Sequence, residues 1–428
     1  MLFFILFFVF LIIGVPIAFS MSVSGLIFFS INNIPLNTVP QKILGGMDSF
    51  VLLAIPLFIF AGELMEGGGI SRRVLNLAST LVGHIRGGLG HVVVVATLIM
   101  SGISGSSSAD TAAIGSAMIP TMVRKGYDRA KAVSIVAAAG GMDILVPPCI
   151  AMIILGGVVN LSVANLFFAG ILPGILMGLG IMSVIYVQAK KANIPLEIWK
   201  GFGEVWKAFI DSAWALLIPV FLLGGIKVGA FTATEGAVFV VVYSLWVAIY
   251  IYKEITWRDV IPIMLRSVRM TGAIMFLIGV STLFGWVTAR EQIPDMLMGW
   301  IATVSDSPWI FLAISNIVLL ISGSILEGAP AIIILAPLLI PMALKLGIDP
   351  IHFGTMMITN LGVGYVLPPI GICLLIACTT GQIDVAHVVK HVMPYFLIMV
   401  VILLLITYVP AISLFIPKLA GYQPVGNW

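Results

Sequence analysis

The sequence predicts an all-α polytopic membrane protein with two inverted repeats, each containing a re-entrant helical hairpin and a discontinuous helix. Three observations lead to this prediction: an apolar composition, an uneven distribution of basic residues, and glycines and prolines that recur at a fixed offset. Of 428 residues, 61% are hydrophobic and 9% are charged. Soluble domains carry about 25% charged residues, so lipid is the expected solvent.

Composition also excludes several classes of protein. No basic patch with interleaved aromatic residues is present, which argues against nucleic-acid binding. Cys149, Cys373 and Cys378 lie in or beside apolar runs without metal-ligand spacing, so neither a zinc site nor a disulfide framework is expected. The N-terminus is apolar from Leu2 without a preceding basic segment, which predicts an uncleaved span rather than a signal peptide.

Apolar stretches predict nine complete spans, because a helix needs roughly 20 residues to cross the hydrocarbon core. They lie at 1–31 (bent near Gly14 to Pro16), 50–66, 129–158, 165–189, 212–229, 235–252, 268–289, 351–378 and 392–416. Two more apolar regions, 88–124 and 308–346, are interrupted by small and polar residues.

The basic residues predict the orientation of these spans. One set of loops holds 16 of the 21 Lys and Arg residues, and the positive-inside rule places that set in the cytoplasm. This assignment requires 88–124 and 308–346 each to enter and leave on one side. We therefore expect two re-entrant hairpins that enter from opposite faces, a cytoplasmic N-terminus and a periplasmic C-terminus.

A comparison of the chain with itself at an offset of 221 residues indicates an internal repeat. Nine identities occur without a gap between 101–148 and 322–369, and most of them are glycine or proline, which control backbone geometry. The predicted division is a first repeat over 1–189, an amphipathic connector with a linking span over 190–229, and a second repeat over 230–428. An odd number of crossings in each unit inverts the second, a common construction of secondary transporters.

Two segments outside the spans have the pattern of surface helices. Residues 195–211 place Trp199 and Trp206 among charged residues, which predicts an amphipathic helix in the cytoplasmic interface. Residues 36–46 predict a similar helix on the outer side. Either helix could brace a scaffold or contact a partner subunit.

Small and polar residues interrupt the apolar regions in four places, and we expect the functional chemistry there. They are the hairpin tips at 101–111 and 322–330, and the breaks at 140–148 and 359–369. Irregular backbone survives at membrane depth only where protein or a water-filled cavity satisfies its polar groups. Free carbonyls at helix C-termini suit a cation such as Na⁺, and free amides at helix N-termini suit an anion. The pattern predicts two cation sites, each pairing a tip with a break, and an acidic substrate between the tips.

Three acidic residues lie at these interruptions. Intramembrane acids are functional by default, and we expect Asp143 to contact a cation directly. Asp110 and Glu327 have two interpretations: they either contribute to a site or cap the returning helix of their hairpin. Glu63 and Glu66 are expected to be solvated at the cytoplasmic end of a span.

Four motifs together resemble the large membrane subunit of TRAP (tripartite ATP-independent periplasmic) transporters, the DctM/SiaM-like family. The resemblance covers essentially the whole chain. Its motifs are Ala-Ile-Pro-Leu-Phe-Ile-Phe-Ala-Gly-Glu-Leu-Met at 54–65, Ser-Gly-Ser-Ser-Ser-Ala-Asp at 104–110, Gly-Met-Asp-Ile-Leu-Val-Pro-Pro at 141–148 and Gly-Val-Gly-Tyr-Val-Leu-Pro-Pro at 362–369.

The resemblance implies a sodium-driven elevator-type transporter in the bacterial inner membrane. Such a subunit works with a small four-helix membrane subunit and a soluble periplasmic binding protein, and this chain is expected to be the large subunit alone. Family substrates are organic acids, including C4-dicarboxylates and sialic acid. No enzymatic activity and no organic cofactor are implied.

The resemblance also implies site residues, with Na⁺ bound at two or more sites. The first ion site takes Ser104, Gly105, Ser106, Asp110 and Asp143. The second ion site takes Gly323, Ser324, Glu327, Thr359 and Gly362. The substrate lies between them, against Ser107, Ser108, Gly328 and Ala329.

Two other functions remain open from sequence. The Gly-x-Ser-Gly pattern at 102–105 is typical of intramembrane serine proteases, but it needs a histidine base, and His91 lies on the same hairpin. A stand-alone Na⁺-coupled carboxylate symporter with a similar plan is the closer alternative. A passive channel is less favoured, since paired hairpins indicate a closed site at the midplane.

Overall fold

The computed structural model describes residues 2–191, 199, 201–293, 296, 299 and 307–426. These residues form 19 α-helices and no strand, which confirms the all-α prediction for the described part of the chain. The helices are α1 Leu2–Ile12, α2 Ile17–Ile31, α3 Thr38–Met47, α4 Ala54–Gly67, α5 Ile70–Val82, α6 Gly88–Ser104, α7 Ser107–Arg124, α8 Arg129–Asp143, α9 Ile150–Val159, α10 Val163–Lys191, α11 Phe202–Lys227, α12 Ala233–Trp246, α13 Trp257–Arg290, α14 Pro308–Ile325, α15 Gly328–Lys345, α16 Pro350–Gly364, α17 Ile372–Gly381, α18 Val385–Tyr408 and α19 Pro410–Leu419.

Eight helical segments among the described residues are long and apolar enough to cross a membrane. They include both helices of the second hairpin, Pro308–Ile325 and Gly328–Lys345, so their number is not the number of complete crossings. The chain is therefore a multi-span membrane protein, whereas nine crossings and the sides of its termini remain predictions.

The helices pack as two groups that meet along the hairpins. One group joins α2, α3 and α4 to α12 and α13, with α5 lying against α11. The other group contains the hairpins α6–α7 and α14–α15, the broken helices α8–α9 and α16–α17, and α10, α18 and α19. The groups touch mainly where α4 and α5 pack against α6 and where α13 packs against α15.

Both hairpins and both broken helices form where the sequence predicts them. The helices of the second set begin at nearly the residues given by the 221-residue offset: Ser107 corresponds to Gly328 and Arg129 to Pro350, the first residues of α7, α15, α8 and α16. Each break contains a cis Pro-Pro bond, at Pro147–Pro148 and Pro368–Pro369. The inverted orientation of the second repeat remains a prediction.

The contacts between the repeats are reciprocal. Helix α9 packs against α15 of the second hairpin, and α17 packs against α7 of the first. A Cβ atom on Gly141 would lie 2.6 Å from the Gly362 carbonyl oxygen, and one on Gly362 would overlap the Gly141 carbonyl oxygen. Gly141 and Gly362 are related by the offset, so their mutual contact is what a two-fold relation between the repeats produces. Helices α8 and α16 approach this closely only because both positions are glycine.

The predicted bend near Gly14 to Pro16 is confirmed, but the prediction that 1–31 forms one span is wrong. The chain breaks at Gly14, which has φ of +91°, and at Pro16, and the Phe3 and Phe28 rings lie 6.0 Å apart. Helix α1 therefore folds back along α2 instead of continuing it. Proline and a left-handed glycine end the first helix, and apolar length alone cannot reveal the reversal.

Two further boundaries differ from the prediction. The separate amphipathic helix expected over 195–211 is wrong from Phe202 onward, because α11 continues from there through the linking span; residues 195–198 and 200 lie outside the described residues. The span expected over 392–416 is present as α18, Val385–Tyr408, but its predicted end is wrong, because a new helix begins at Pro410. The short helix expected over 36–46 is confirmed as α3, which packs along α13.

Candidate functional site

The first hairpin tip turns at a left-handed glycine. Helix α6 ends at Ser104, Gly105 has φ of +65°, and Ser106 is the extended N-cap of α7. The Ser106 backbone N–H donates to Ser104 Oγ over 3.3 Å, and the hydroxyls of Ser106 and Ser108 are 3.4 Å apart. The tip therefore exposes hydroxyl groups at the start of a helix.

The first tip and the first break are bound to each other, as the sequence predicted. Ser101 Oγ donates to the carbonyl oxygens of Asp143 and Val146 over 2.5 and 3.2 Å, and the Ile150 backbone N–H donates to the Gly105 carbonyl over 3.4 Å. The bonds from Ser101 go to carbonyls at the end of α8, and the bond from Ile150 goes to the carbonyl at the end of α6, where helices leave carbonyls free. Hydrogen bonds to the hairpin therefore stabilise the break between α8 and α9.

Two carboxyl groups are buried between this tip and this break. Asp110 is 2% exposed and Asp143 is fully buried, and they lie close enough to interact electrostatically. Within the described residues, no well-aligned hydrogen bond reaches Asp110 Oδ2 or either carboxyl oxygen of Asp143, although Asp110, Ser101 and Ser107 lie close to the Asp143 carboxyl group. Asp110 lies in the first turn of α7, whose N-cap is Ser106, so both interpretations of Asp110 stay predictions. Buried acidic oxygens without well-aligned hydrogen bonds require compensation.

The donor set around these carboxyl groups fits a hard cation. It consists of carboxylate oxygens, serine hydroxyls and backbone carbonyls, which are the ligands that alkali and alkaline-earth cations prefer. The described residues contain no group of three or more His, Cys, Asp or Glu side chains arranged to hold a metal. Carboxylate, hydroxyl and carbonyl oxygens are hard ligands and do not favour a soft transition metal.

The second tip packs on the second break through glycine. A Cβ atom on Gly323 would lie 2.8 Å from Leu361 Cα, and one on Gly364 would lie 2.7 Å from the Gly323 carbonyl carbon. Glu327 is the N-cap of α15, yet its side chain makes no capping bond, so capping is not supported here. This close backbone packing brings the carbonyls of α16 and the tip together.

The other predicted residues of the second ion site are less tightly grouped. Thr359 Oγ1 donates to the Thr355 carbonyl over 2.7 Å, and Ser324 Oγ donates to the Ile321 carbonyl over 2.7 Å. Gly362 faces Gly141 rather than the tip. The structure therefore brings Gly323 and Gly364 together at this site and places Gly362 at the contact between α8 and α16.

A cavity of roughly 200 Å³ lies between the two tips. All four predicted substrate residues line it, together with part of both predicted ion sites: Gly105, Ser106, Ser107, Ser108, Glu327, Gly328 and Ala329. Helix α13 closes one side with Met270, Ala273 and Ile274. A cavity of this size holds a small organic molecule.

The N-termini of four helices converge on this cavity. The first residues of α7, α9, α15 and α17 all line it: Ser107, Ile150, Gly328 and Ile372. Each helix N-terminus carries free amides and roughly half a positive charge. No Lys, Arg or His occurs among the described residues that line the cavity. The helix ends therefore supply its positive potential, which suits an anion.

Some lining residues had no signal in the sequence. The α13 residues are ordinary apolar residues of a long span. Tyr365 is 3% exposed, and its hydroxyl occupies the place that a Cβ on Gly328 would take. The N-termini of α9 and α17 could have been inferred, because each follows a predicted break.

The geometry around Ser104 does not resemble a catalytic dyad. Ser104 Oγ accepts a bond from the Ser106 backbone, and His91 lies near the opposite end of the same helix. The ring of His91 bonds the Arg86 carbonyl through Nε2 over 3.1 Å. A histidine base is therefore not positioned at Ser104.

Comparisons with known proteins agree with this architecture. A family model described as "Tripartite ATP-independent periplasmic transporter, DctM component" matches residues 4–412. The chain is 40% identical, over 89% of each chain, to the C4-dicarboxylate TRAP transporter large permease protein DctM of Pseudomonas aeruginosa. It is 36% identical to the sialic acid TRAP transporter large permease protein SiaM of Vibrio cholerae, over 96% of each chain.

The fold also resembles a solved structure at low sequence identity. The YdaH transporter of Alcanivorax borkumensis matches with a TM-score of 0.64 and 13% identity, covering 92% of this chain and 90% of that one. This likeness concerns the fold alone. The family model and the relatives cover nearly the whole chain, and the chain therefore belongs to the DctM component family of tripartite ATP-independent periplasmic transporters.

Proposed function

We propose that this chain is the transport subunit of a Na⁺-driven symporter that imports an organic acid of the C4-dicarboxylate or sialic acid class. The observation that carries the proposal is the cavity onto which four helix N-termini converge. Amides at helix starts bind carboxylates without a basic side chain. The two substrate classes are those named for the Pseudomonas and Vibrio relatives.

The cation sites of the proposal lie on either side of this cavity. In the first site, Asp110 and Asp143 hold the cation together with hydroxyls and carbonyls of the first tip, including Ser104, Gly105 and Ser106. In the second, Glu327 contributes a carboxylate, and Gly323, Ser324, Thr359 and Gly362 belong to the surrounding tip and broken helix. A cation between tip and break would stabilise both around the anion.

Partner proteins follow from the family. Its members are components of a tripartite system, and we assign this chain a small four-helix membrane subunit and a periplasmic binding protein that delivers the acid. The complex would lie in a bacterial inner membrane, with the N-terminus in the cytoplasm and the C-terminus in the periplasm.

Movement of the hairpin group against the other helix group would give alternating access. The contacts of α4 and α5 with α6, and of α13 with α15, form the boundary between the groups. Both tips and both breaks belong to one group, so substrate and cations would move together. This is an elevator mechanism.

Uptake by proteoliposomes containing this chain and its small subunit tests the proposal. Labelled succinate and sialic acid are offered with the cognate binding protein under an inward Na⁺ or K⁺ gradient. Uptake that requires both Na⁺ and the binding protein is expected. Uptake of both acids that is equally fast with K⁺ would refute sodium coupling.

A stand-alone Na⁺/carboxylate symporter is the second candidate, because the cavity and both ion sites lie within this chain. The same assay separates the two. Sodium-driven uptake without the binding protein would favour the stand-alone symporter. The placement of His91 and Ser104 does not favour an intramembrane serine protease.

A further inference from the structure

A second, smaller cavity of roughly 40 Å³ adjoins the first hairpin tip. Helix α4 contributes Glu63 and Glu66 to its wall, and the tip contributes Ser104 and Ser106. The space is sufficient for one or two water molecules. Two acidic side chains and hydroxyl groups of the proposed first ion site therefore line the same small cavity.

The smaller cavity leads towards the central one. Ser106, Ile150 and Met270 line both of them. At the other end, Glu66 is partly exposed at the protein surface. The small cavity therefore lies between the surface at Glu66 and the space between the two tips.

Helix α4 lies directly against the tip at this point. A Cβ atom on Gly62 would be 3.0 Å from the Ser104 carbonyl oxygen and 3.2 Å from its Cα. The absence of a side chain at Gly62 lets the tip approach α4, and Glu63 and Glu66 lie one and four residues further along the same helix. The close contact between the backbones of α4 and the tip places these acids beside the tip.

The two acids differ in their partners. Glu63 Oε2 accepts from Arg266 Nε on α13 over 2.9 Å. Glu66 is close enough to Asp110 for their charges to interact electrostatically. Glu66 also interacts with Glu63 and Arg266, and these two acids and one base together leave the mouth with a net negative formal charge.

We propose that Glu66 is an electrostatic guide for cations passing between the aqueous phase and the first ion site, at a mouth formed by Glu63, Arg266 and Gly62. The proposal rests on the sodium coupling proposed above and gives Glu66 a role that a solvated surface acid would lack. A fixed charge at the entrance of a narrow polar passage raises the local cation concentration and the association rate, and salt screens the effect. Glu66 is a positioning residue, not a ligand of the bound cation.

The test is the Na⁺ concentration that half-saturates uptake, measured on the complete complex in proteoliposomes. Glu66→Gln is expected to raise this concentration about two- to five-fold at low ionic strength and less in added choline chloride. Glu66→Asp keeps the charge and should remain near the wild type. Glu204→Gln is the matched control, because Glu204 is an exposed acid that lines neither cavity.

Three results would overturn the inference. They are an unchanged half-saturating concentration in Glu66→Gln, an equal rise in Glu204→Gln, and an aspartate variant that behaves like the glutamine variant. Melting temperatures confirm that each variant is folded. A wild-type complex that ignores Na⁺ would refute the sodium coupling itself, a result that the wild-type measurement reveals before any variant is made.

Discussion

The first and second hairpins enclose the same cavity, but only the first holds buried carboxyl groups. The 221-residue offset places Ala331 opposite Asp110 and Gly364 opposite Asp143. Ala331 and Gly364 are both buried, so the second site has no acid at either position. Its only acid at the tip is Glu327, which is exposed.

This difference shows which residues the broken helix needs in order to form and which residues it does not need. The first halves of the broken helices, α8 and α16, have bounds related by the offset, although only α8 carries an acid at its end. Asp143 is therefore not needed for the break. A buried acid that the fold does not need is best explained by a ligand, and intramembrane acids are costly to retain otherwise.

The backbone contact shared by the repeats gives the largest expected effect. In Gly141→Ala, the new Cβ would lie 2.6 Å from the Gly362 carbonyl and overlap Val366. Overpacking costs about 1–3 kcal/mol, and backbone neighbours cannot move aside easily. We expect a lower melting temperature and loss of uptake. Gly224→Ala is the control, because nothing lies within 4 Å of its Cβ position; equal melting temperatures in the two variants would disprove the contact.

The buried acid of the first site comes next. Under the proposed function, Asp143→Asn removes a charged ligand of the cation, and interactions with charged groups contribute about 1.5–3 kcal/mol. The Na⁺ concentration that half-saturates uptake should rise by roughly tenfold or more. Asp128→Asn is a matched control, because Asp128 caps the other end of α8 at the surface. Unchanged sodium activation in Asp143→Asn would remove this residue from the site.

A polar network found only in the second repeat should matter for stability. Asn360 Nδ2 donates to Asn316 Oδ1 over 2.7 Å, and Thr407 Oγ1 donates to the same oxygen over 3.2 Å. The offset places Ala139 opposite Asn360. Because Asn360→Ala leaves buried groups with fewer partners, it should lower unfolding stability by about 1–3 kcal/mol. A thermal melt in detergent checks this, and an unchanged melting temperature would show that the network contributes nothing.

The acid of the second tip should give the smallest effect. Glu327 is exposed to the cavity and makes no capping bond, so water screens its charge. Glu327→Gln should change the half-saturating Na⁺ concentration by about two- to three-fold, less than Asp143→Asn. Uptake at varied Na⁺ measures both. A larger effect at Glu327 than at Asp143 would reverse the comparison between the sites.

Sequence patterns were most informative where glycine and proline fix the backbone. They located both hairpins and both breaks, and the residues predicted between the tips, Ser107, Ser108, Gly328 and Ala329, line the cavity. They failed where tertiary contacts decide the path of an apolar segment. The pattern of Gly14 and Pro16 predicted a bend, but it could not show that α1 folds back along α2, because that direction depends on packing such as the contact of Phe3 with Phe28.

Predictions for the site had the same limit. Met270, Ala273 and Ile274 are apolar residues on a long span, and only packing brings them to the cavity. From the sequence, Glu66 was predicted to be a solvated acid, because its neighbours indicate only that a helix ends there. Its position beside Ser104 comes from the approach of α4 to the tip at Gly62.

The central claim is that the first site binds Na⁺ through its buried carboxyl groups, and Na⁺-dependent thermal stabilisation tests it most directly. A ligand at 100 times its Kd stabilises the folded state by about 2.7 kcal/mol. The purified wild-type chain should melt at a higher temperature in NaCl than in KCl at equal ionic strength. Asp143→Asn should lose a large part of that difference, while Asp128→Asn should keep it. An equal NaCl-dependent shift in Asp143→Asn and the wild type would contradict the account.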